Sequence, residues 1–264
     1  MFASIITDCK DDNALGRSTV RLSQYVQCPI TTVGVNGWDA DLEAAGNLID
    51  LLDASEGKPG VIIVNVAPRH KSAKKWPNGT PFSYFHYKET LIVAAIDGKV
   101  LSLVKKFGLV EYVNIMDIPT VLKSLEERGV ITQELVDHIS HTQFRSFEFL
   151  PRVAGWILDG LEIPSEKYML TNVEDAPSSV WWIDNFGNVK TTLLENDIDF
   201  IVGEKVSTKV GELVCYNRLK DVPDEEKALI IGSSGLGEKR FLEVVVQGVS
   251  AEKELKITSG QEIL

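Results

Sequence analysis

Residues 60–67 read GVIIVNVA, a largely apolar run that ends at a proline in position 68. Such a run is typical of a strand that is buried on both faces of a parallel sheet. It follows two predicted strands, at 2–7 and 30–35, and two predicted helices, at 14–26 and 39–52. This β-α-β-α-β order predicts an α/β N-terminal domain with a largely parallel sheet and flanking helices.

Ligands of such sheets bind beyond the carboxyl ends of the strands. Asp8 follows the first predicted strand, and the segment 67–70 follows the buried one. We therefore expect Asp8 near a ligand. His70 is either a base with a pKa near neutrality or a surface residue between two basic neighbours. Residues 71–90 are basic and rich in turn signals, and they are predicted to form a surface excursion.

The rest of the chain divides into the end of this domain and a second domain. Further strands are predicted at 91–95 and 110–115, and further helices near 119–127, 132–141 and 149–158. The first domain is expected to span 1–165. Turn residues place a linker at 166–177, and short strands broken by Gly and Asp predict a β-rich barrel or sandwich at 178–264.

Composition limits the class of protein. The 264 residues carry a formal net charge of −11, which argues against a general nucleic-acid binder. The three cysteines show no CxxC spacing, and reduced thiols in a cytoplasmic protein are the simplest explanation. Neither a signal-peptide core nor an apolar run of membrane-spanning length is apparent, so we expect no membrane association.

The stretch VWWIDNFGNVKTT, at 180–192, predicts a β-hairpin. Bulky strand-forming residues flank a turn in which Gly187 accepts a positive φ. The hairpin brings the carboxylate of Asp184 and the carboxamide of Asn188 to the same strand end. One interpretation is that they hold an amino or hydroxyl group and the edge of a purine. The alternative is that a tight turn simply requires these residue types.

The segment IDNFGN resembles the IDxFGN signature of the S-adenosyl-L-methionine (SAM) hydroxide adenosyltransferases, or SAM hydrolases, whose relatives include the SAM-dependent fluorinase and chlorinase. Similar segments lie along nearly the whole chain. Thr7-Asp8 resembles the opening motif, Gly37-Trp38-Asp39 a fluorinase-type segment, and residues 232–235 and 242–248 the SSG and LEIAVNQG segments. Members of this family attack C5′ of the SAM ribose with water or halide and release methionine.

The resemblance implies a set of ligand-binding residues, in which Asp8 grips the ribose diol, Trp38 lines the methionine end and the backbone near Gly248 meets the adenine edge. The complete set is Asp8, Asp12, Trp38, Thr142, Asp184, Asn188, Ser233, Ser234 and Gly248. It also implies SAM or an adenosine compound as the small-molecule ligand, with neither a metal nor a separate cofactor. The expected assembly is a homotrimer whose sites lie between subunits.

The chain departs from the family at the residues that activate water. Ala67 stands at the position of the family Asp, and Phe144 and Phe147 stand where the family has His and Asp. Arg145 and His70 are then the remaining catalytic candidates. Weak or altered attack at C5′ is one expectation, and a non-catalytic adenosine- or SAM-binding protein is the alternative.

Two other readings stay open. The residues Glu134, His138 and His141 share a predicted helix face, so a metal-dependent hydrolase is a further alternative. The run GSSGLG at 232–237 is rich in glycine, but it lacks the Gly-Lys-Ser/Thr ending of a phosphate-binding P-loop. Leu219 replaces an aromatic residue that in the family covers the adenine, which predicts weaker stacking of the base.

Overall fold

The computed structural model describes residues 1–36, 40–67 and 80–264. It divides the chain into two compact units. The first comprises Met1–Leu48 and Ala54–Glu174, and the second comprises Ile49–Asp53 and Asp175–Leu264. Two predicted site residues, Trp38 and His70, lie outside the described residues.

Within the described segments, the first unit contains a seven-stranded sheet. Its strands are β1 (Phe2–Thr7), β2 (Ile30–Gly34), β3 (Gly60–Asn65), β4 (Phe82–Tyr87), β5 (Thr90–Ala95), β6 (Tyr112–Met116) and β7 (Glu166–Met169). They lie in the order β2-β1-β3-β5-β4-β6-β7. Of these described strands, only β4 and β7 run against the common direction, so the sheet is mostly parallel.

Helices accompany this sheet. They are α1 (Asp12–Leu22), α2 (Ala40–Ala54), α3 (Ser102–Phe107), α4 (Ile118–Glu127), α5 (Gln133–His141) and α6 (Arg145–Leu158). Local chemistry sets several of their starts, since the side chains of Asp11, Asp117 and Thr132 accept hydrogen bonds from backbone N–H groups of the first turn. Residues Ile49–Asp53 of α2 are counted with the second unit.

The core of the first unit confirms the interpretation of the opening stretch. Val61, Ile62, Ile63 and Val64 are each at most 2% exposed, as expected for a strand covered on both faces. Two expectations were wrong. Phe82–Tyr87 was placed in a surface excursion but forms β4, which is hydrogen-bonded between β5 and β6. The proposed linker at 166–177 contains β7, and the units divide between Glu174 and Asp175.

The second unit is β-rich, as predicted. In residues 175–264, all of which are described, six strands form one sheet. They are β8 (Val180–Ile183), β9 (Val189–Leu194), β10 (Lys205–Thr208), β11 (Gly211–Tyr216), β12 (Lys227–Leu236) and β13 (Lys239–Val246). The order is β10-β11-β12-β13-β9-β8, with β11 and β12 parallel and the other neighbours antiparallel. Closure into a barrel or a sandwich stays a prediction.

A short helix, α7 (Ala251–Leu255), completes this unit. It begins after Ser250, whose side chain accepts a hydrogen bond from the Lys253 N–H. A core that includes Val180, Leu193, Leu242 and Val244 fills one face of the sheet. Among the helices of the described segments, none is both long enough and apolar enough to cross a lipid bilayer.

Candidate functional site

The hairpin between β8 and β9 holds its own turn together through Asp184. Oδ1 of Asp184 accepts from the backbone N–H groups of Phe186 (2.8 Å) and Asn188 (2.9 Å), and Oδ2 accepts from Nδ2 of Asn188 (3.0 Å). Gly187 has a φ of 83°, which glycine adopts without strain. One of the two side-chain N–H donors of Asn188 is therefore committed to Asp184, and its carbonyl oxygen Oδ1 accepts no hydrogen bond from Asp184.

A row of polar side chains crosses the sheet beside this turn. Lys190 of β9 lies directly opposite Glu243 of β13 in the strand pairing. Directly paired residues of antiparallel strands project from the same face, and so do residues two apart along one strand. Asn188, Lys190 and Glu243 therefore share one face.

The ammonium group of Lys190 is fixed by a short network. Its Nζ donates to Oγ of Ser234 over 2.5 Å, and Oγ of Ser234 donates to Oδ2 of Asp50 over 2.8 Å. The backbone N–H of Gly235 donates to the other oxygen of Asp50 over 2.9 Å. Burial nevertheless raises the pKa of the Asp50 carboxyl above its ordinary value. Ser234, predicted as a ligand contact, thus has a structural role in holding Lys190.

Glu243 is the unusual member of the row. The residue is 7% exposed, and its Oε1 has no hydrogen-bond partner among the described residues. The carboxylate packs against Gly232, where a Cβ would stand 2.4 Å from Oε1, so only glycine leaves room for it. Burial is the main cause that raises the pKa of Glu243, and the charges of Asp184 and Asp50 act in the same direction. The charge of Lys190 and a hydrogen bond from the Ser233 backbone N–H lower the pKa and oppose them.

These residues line a cavity of about 620 Å³ in the second unit. Its polar wall contains Asp184, Asn188, Lys190, Ser233, Glu243 and Ser250, together with Gly248. A volume in this range is typical of small-molecule sites, in which a few polar groups orient the ligand and apolar groups provide contact area.

The apolar part of the cavity is exposed at its rim. Phe186, Leu219, Val246 and Val249 line it, and the Phe186 side chain at the tip of the hairpin is 76% exposed. An aromatic ring that stays in water beside a polar cavity offers a face on which a planar ligand can stack. Leu219, which was expected to replace an aromatic cover of the adenine, lines this cavity. Phe186 supplies an aromatic ring to the same cavity.

In the first unit, Asp8 lies at the carboxyl end of β1, as predicted. Its Oδ2 accepts from the backbone N–H of Ala67, just beyond the end of β3, over 3.0 Å. Cys9 lies beside it, and burial, followed by the charge of Asp8, raises the pKa of the Cys9 thiol. That shift disfavours the thiolate, so Cys9 lacks the character of a nucleophile. Asp12 is an exposed residue in the first turn of α1.

The start of α6 is an aromatic and cationic cluster. The guanidinium of Arg17 lies over the rings of Phe144 (5.7 Å) and Phe147 (4.6 Å), and Phe147 is buried. Nη2 of Arg145 donates to the backbone oxygen of Thr80 over 3.3 Å, and burial lowers the pKa of Arg145. Oγ1 of Thr142 accepts from the Phe144 N–H over 3.3 Å, which is a local turn before α6.

The metal-site alternative gains no support. Within 1–36, 40–67 and 80–264, no three His, Cys, Asp or Glu side chains are grouped to hold a metal ion. His141 Nδ1 contacts the backbone oxygen of Asp137 at 2.7 Å, and His138 Nε2 lies 3.4 Å from Oε2 of Glu148. Glu148 itself is bound by Arg21 and Arg152 at 2.5 and 2.6 Å. Arg21, His138, Glu148 and Arg152 thus form an ion-pair network between α1, α5 and α6.

The structure brings together only part of the predicted set. Asp184, Asn188, Ser233 and Gly248 line one cavity, whereas Asp8, Asp12, Thr142 and Arg145 belong to the first unit. Phe186, Lys190 and Glu243 are among the cavity residues that the predicted set does not contain. A signal for Glu243 was present, since one acidic residue interrupts the apolar run FLEVVV in a predicted strand.

No protein-family model matches the chain, and no curated protein sequence matches it either. A crystal structure of an uncharacterized conserved protein from Thermotoga maritima is similar, with a TM-score of 0.68 and 16% sequence identity over 99% of this chain and 100% of that one. A conserved hypothetical protein from Thermus thermophilus gives a TM-score of 0.64 and 16% identity over 99% of each chain. At this identity, the likeness establishes a shared two-domain fold.

Proposed function

We propose that this protein binds an adenosine compound, with SAM as the leading candidate, in the cavity of the second unit. The observation that carries the proposal is the combination of an exposed aromatic ring, Phe186, with the hydrogen-bonding groups of Asn188, Ser233 and Glu243 around one cavity. A purine nucleoside has the complementary form, because its base is flat and apolar on its faces and polar along its edge.

The resemblance to SAM hydrolases supports the same ligand class independently of the geometry. IDNFGN provides the turn at the cavity. Ser233 comes from the similar segment at 232–235, and Gly248 comes from the one at 242–248. Three separate stretches of the resemblance thus contribute to one cavity. The SAM ligand remains a proposal, and so does the part that Asp8 would play at the ribose.

The accompanying activity that we propose is slow transfer of the adenosyl group from C5′ of SAM. The sulfonium departs as a neutral thioether, so the main task is to align a nucleophile and remove its water. Water also needs a base, and the side chains of Ala67, Phe144 and Phe147 cannot accept a proton. The Phe147 side chain is buried, and the Arg17 guanidinium lies over its ring, so Phe147 serves in packing. Hydrolysis should accordingly be weak.

A non-catalytic adenosine- or SAM-binding protein is the second candidate, and the same three apolar positions favour it. The two candidates differ in one observation. Prolonged incubation with SAM, followed by mass spectrometry, yields adenosine and methionine from an enzyme and intact SAM from a binding protein. An anion-dependent adenosyl product would instead identify another nucleophile, for which Arg145 is the predicted cationic partner.

Calorimetry on the full chain tests the binding proposal, with SAM and adenosine as ligands. Phe186→Ala removes an exposed ring, so folding should be unaffected while affinity falls by about 1–3 kcal/mol, the usual value of a base–aromatic stack. Ile201→Ala is the matched control, because Ile201 is also exposed (58%) but does not line the cavity. Wild-type protein that binds neither ligand at millimolar concentration would refute the proposal.

A further inference from the structure

We propose that Glu243 is the specificity-determining residue of this cavity and that it selects a base carrying an exocyclic amino group. This inference rests on the proposed function and adds which group of the base the cavity recognises. It starts from the acceptor character of the wall. Glu243 presents a carboxylate to the cavity, and Asn188 contributes a carbonyl oxygen, since one of its two side-chain N–H groups is bound to Asp184.

Glu243 is buried, so an acceptor atom of its carboxylate that has no hydrogen bond is energetically costly. A polar side chain that is 93% buried normally has all its hydrogen bonds made, yet Oε1 has no partner among the described residues. Lys190, the paired residue on β9, directs its ammonium group to Ser234 and Asp50. The Ser233 backbone N–H donates to the carboxylate, but Oε1 still lacks a donor among the described residues, and above its pKa the ionised carboxylate can only accept hydrogen bonds.

The glycine beneath it indicates that the carboxylate has a fixed place. Gly232 lies so close that any Cβ would collide with Oε1, and Ser233, the next residue, lines the cavity. A larger side chain at position 232 would displace the buried carboxylate, so its place at the cavity wall depends on glycine there. An amino group of a base, with two N–H donors, would satisfy both Glu243 and Asn188.

The same geometry disfavours an oxo group. The O6 of a hypoxanthine base would face the ionised carboxylate of Glu243, which cannot donate a hydrogen bond to it. Sites whose buried polar groups are left unpaired reject the wrong ligand far more strongly than apolar pockets do. Adenosine should therefore bind well and inosine poorly, although the two nucleosides are nearly equal in size and stacking area.

The test is a calorimetric series with adenosine, N6-methyladenosine, N6,N6-dimethyladenosine and inosine on the full chain, at a pH near 8. We expect inosine and the dimethyl compound to bind at least about tenfold more weakly than adenosine, with the monomethyl compound between them. In Glu243→Gln the amide both donates and accepts, so the ratio of adenosine to inosine affinity should fall at least about tenfold toward one. Glu238→Gln, at an exposed position of the same unit, should keep the wild-type ratio.

Each outcome separates the two proposals. Equal binding of adenosine and inosine by the wild type would overturn the role of Glu243 and leave adenosine binding in place, and so would a wild-type ratio in Glu243→Gln. Binding of none of the four compounds would overturn the proposed function and this inference with it. The ligand series uses only wild-type protein, so it decides the question even if the variant fails to fold.

Discussion

Lys190 and Glu243 face each other across the pairing of β9 and β13, although the hydrogen bond of the Lys190 ammonium group goes to Ser234. Burial leaves the carboxyl of Glu243 with a raised pKa in spite of this neighbouring cation. A buried acid that is neither fully paired nor replaced by an apolar residue is the kind of feature that proteins retain at functional sites.

Glu243→Gln is expected to make the protein more stable near neutral pH. Because the folded-state pKa of Glu243 lies above its ordinary value of 4.5, the ionised group lowers stability above that folded-state pKa. The cost vanishes as the pH falls below the ordinary value. Thermal unfolding should thus show a higher Tm for the variant at about pH 7.5 and no difference at about pH 4. A lower Tm near neutrality would contradict this reading of the site.

Gly232→Ala should displace the Glu243 carboxylate and weaken ligand binding. The new methyl group would stand 2.4 Å from Oε1, so the side chain must move from its place at the cavity wall. We expect at least about a tenfold loss of adenosine affinity, measured by calorimetry. Gly16→Ala in α1 is the control, since its Cβ would meet nothing within 4 Å. It should leave binding unchanged and stabilise the helix by about 1 kcal/mol.

Glu148→Gln should destabilise the protein near neutral pH. Burial acts to raise the pKa of Glu148, but hydrogen bonds from Arg152 and Arg21 outweigh it and hold the pKa below the ordinary value of 4.5. A lowered pKa gives stability that is present above the ordinary value and is lost as the pH falls through the folded-state pKa. The expected loss is about 1.5–3 kcal/mol in urea unfolding near neutrality, and it should shrink in acid.

The exposed pair Lys123–Glu127 on α4, 3.8 Å apart, provides the control for that experiment. Glu127→Gln removes a charge from a pair that stays in water and should change the free energy of unfolding by less than about 0.5 kcal/mol. If both Glu variants unfold alike, the network around Glu148 does not stabilise the first unit.

Hydrolysis of SAM should rise when a base is restored. The double variant Ala67→Asp with Phe144→His returns a carboxylate and an imidazole to the positions where the resembled family has them. A positioned base is worth typically 10²–10⁴-fold, so adenosine release in plain buffer should increase at least about tenfold. His70→Ala should reduce any wild-type activity. Wild-type turnover equal to that of an ordinary SAM hydrolase, and unaffected by His70→Ala, would disprove this prediction.

The assembly is expected to be a homotrimer, as the resemblance implies. A cyclic, head-to-tail arrangement would allow Asp8 of one copy and Asn188 of another to meet the same ligand. Light scattering should give about three times the chain mass of 29.2 kDa. A monomer with full affinity for the ligand would show that the second unit suffices by itself.

Local patterns in the sequence predicted the elements that local chemistry determines. The β8–β9 hairpin follows from Asp184 and Gly187, and β3 follows from its apolar run. β4 was missed because Phe82–Tyr87 comes directly after a turn-rich segment, so its apolar side chains were assigned to the same excursion. Its burial depends on β5 and β6 on either side, which no local pattern reveals.

The candidate site was predictable only in part, for a related reason. Asp184 and Asn188 stand out because turn residues and a family-like motif coincide there. Lys190 and Glu243 gain their meaning from a pairing between strands that are far apart in sequence. Lys190 alone does not differ from an ordinary charged side chain in a strand, and Glu243 gave only the weak signal of one acidic residue within an apolar run. The burial of Glu243, and the need for glycine at position 232, become visible only once the strands are in register.

The position of β7 has a practical consequence for dividing this protein into fragments. β7 is the outermost strand of the first sheet, and it precedes the unit boundary at Glu174 by only a few residues. A fragment cut at residue 165 would lose it and leave one edge of β6 unpaired, while the other edge stays paired with β4. Open strand edges of this kind recruit other chains and promote aggregation. A cut after residue 174 keeps β7 on β6 and suits expression of the first unit, whereas a fragment from residue 175 onward would lack Asp50 and its bonds to Ser234 and Gly235.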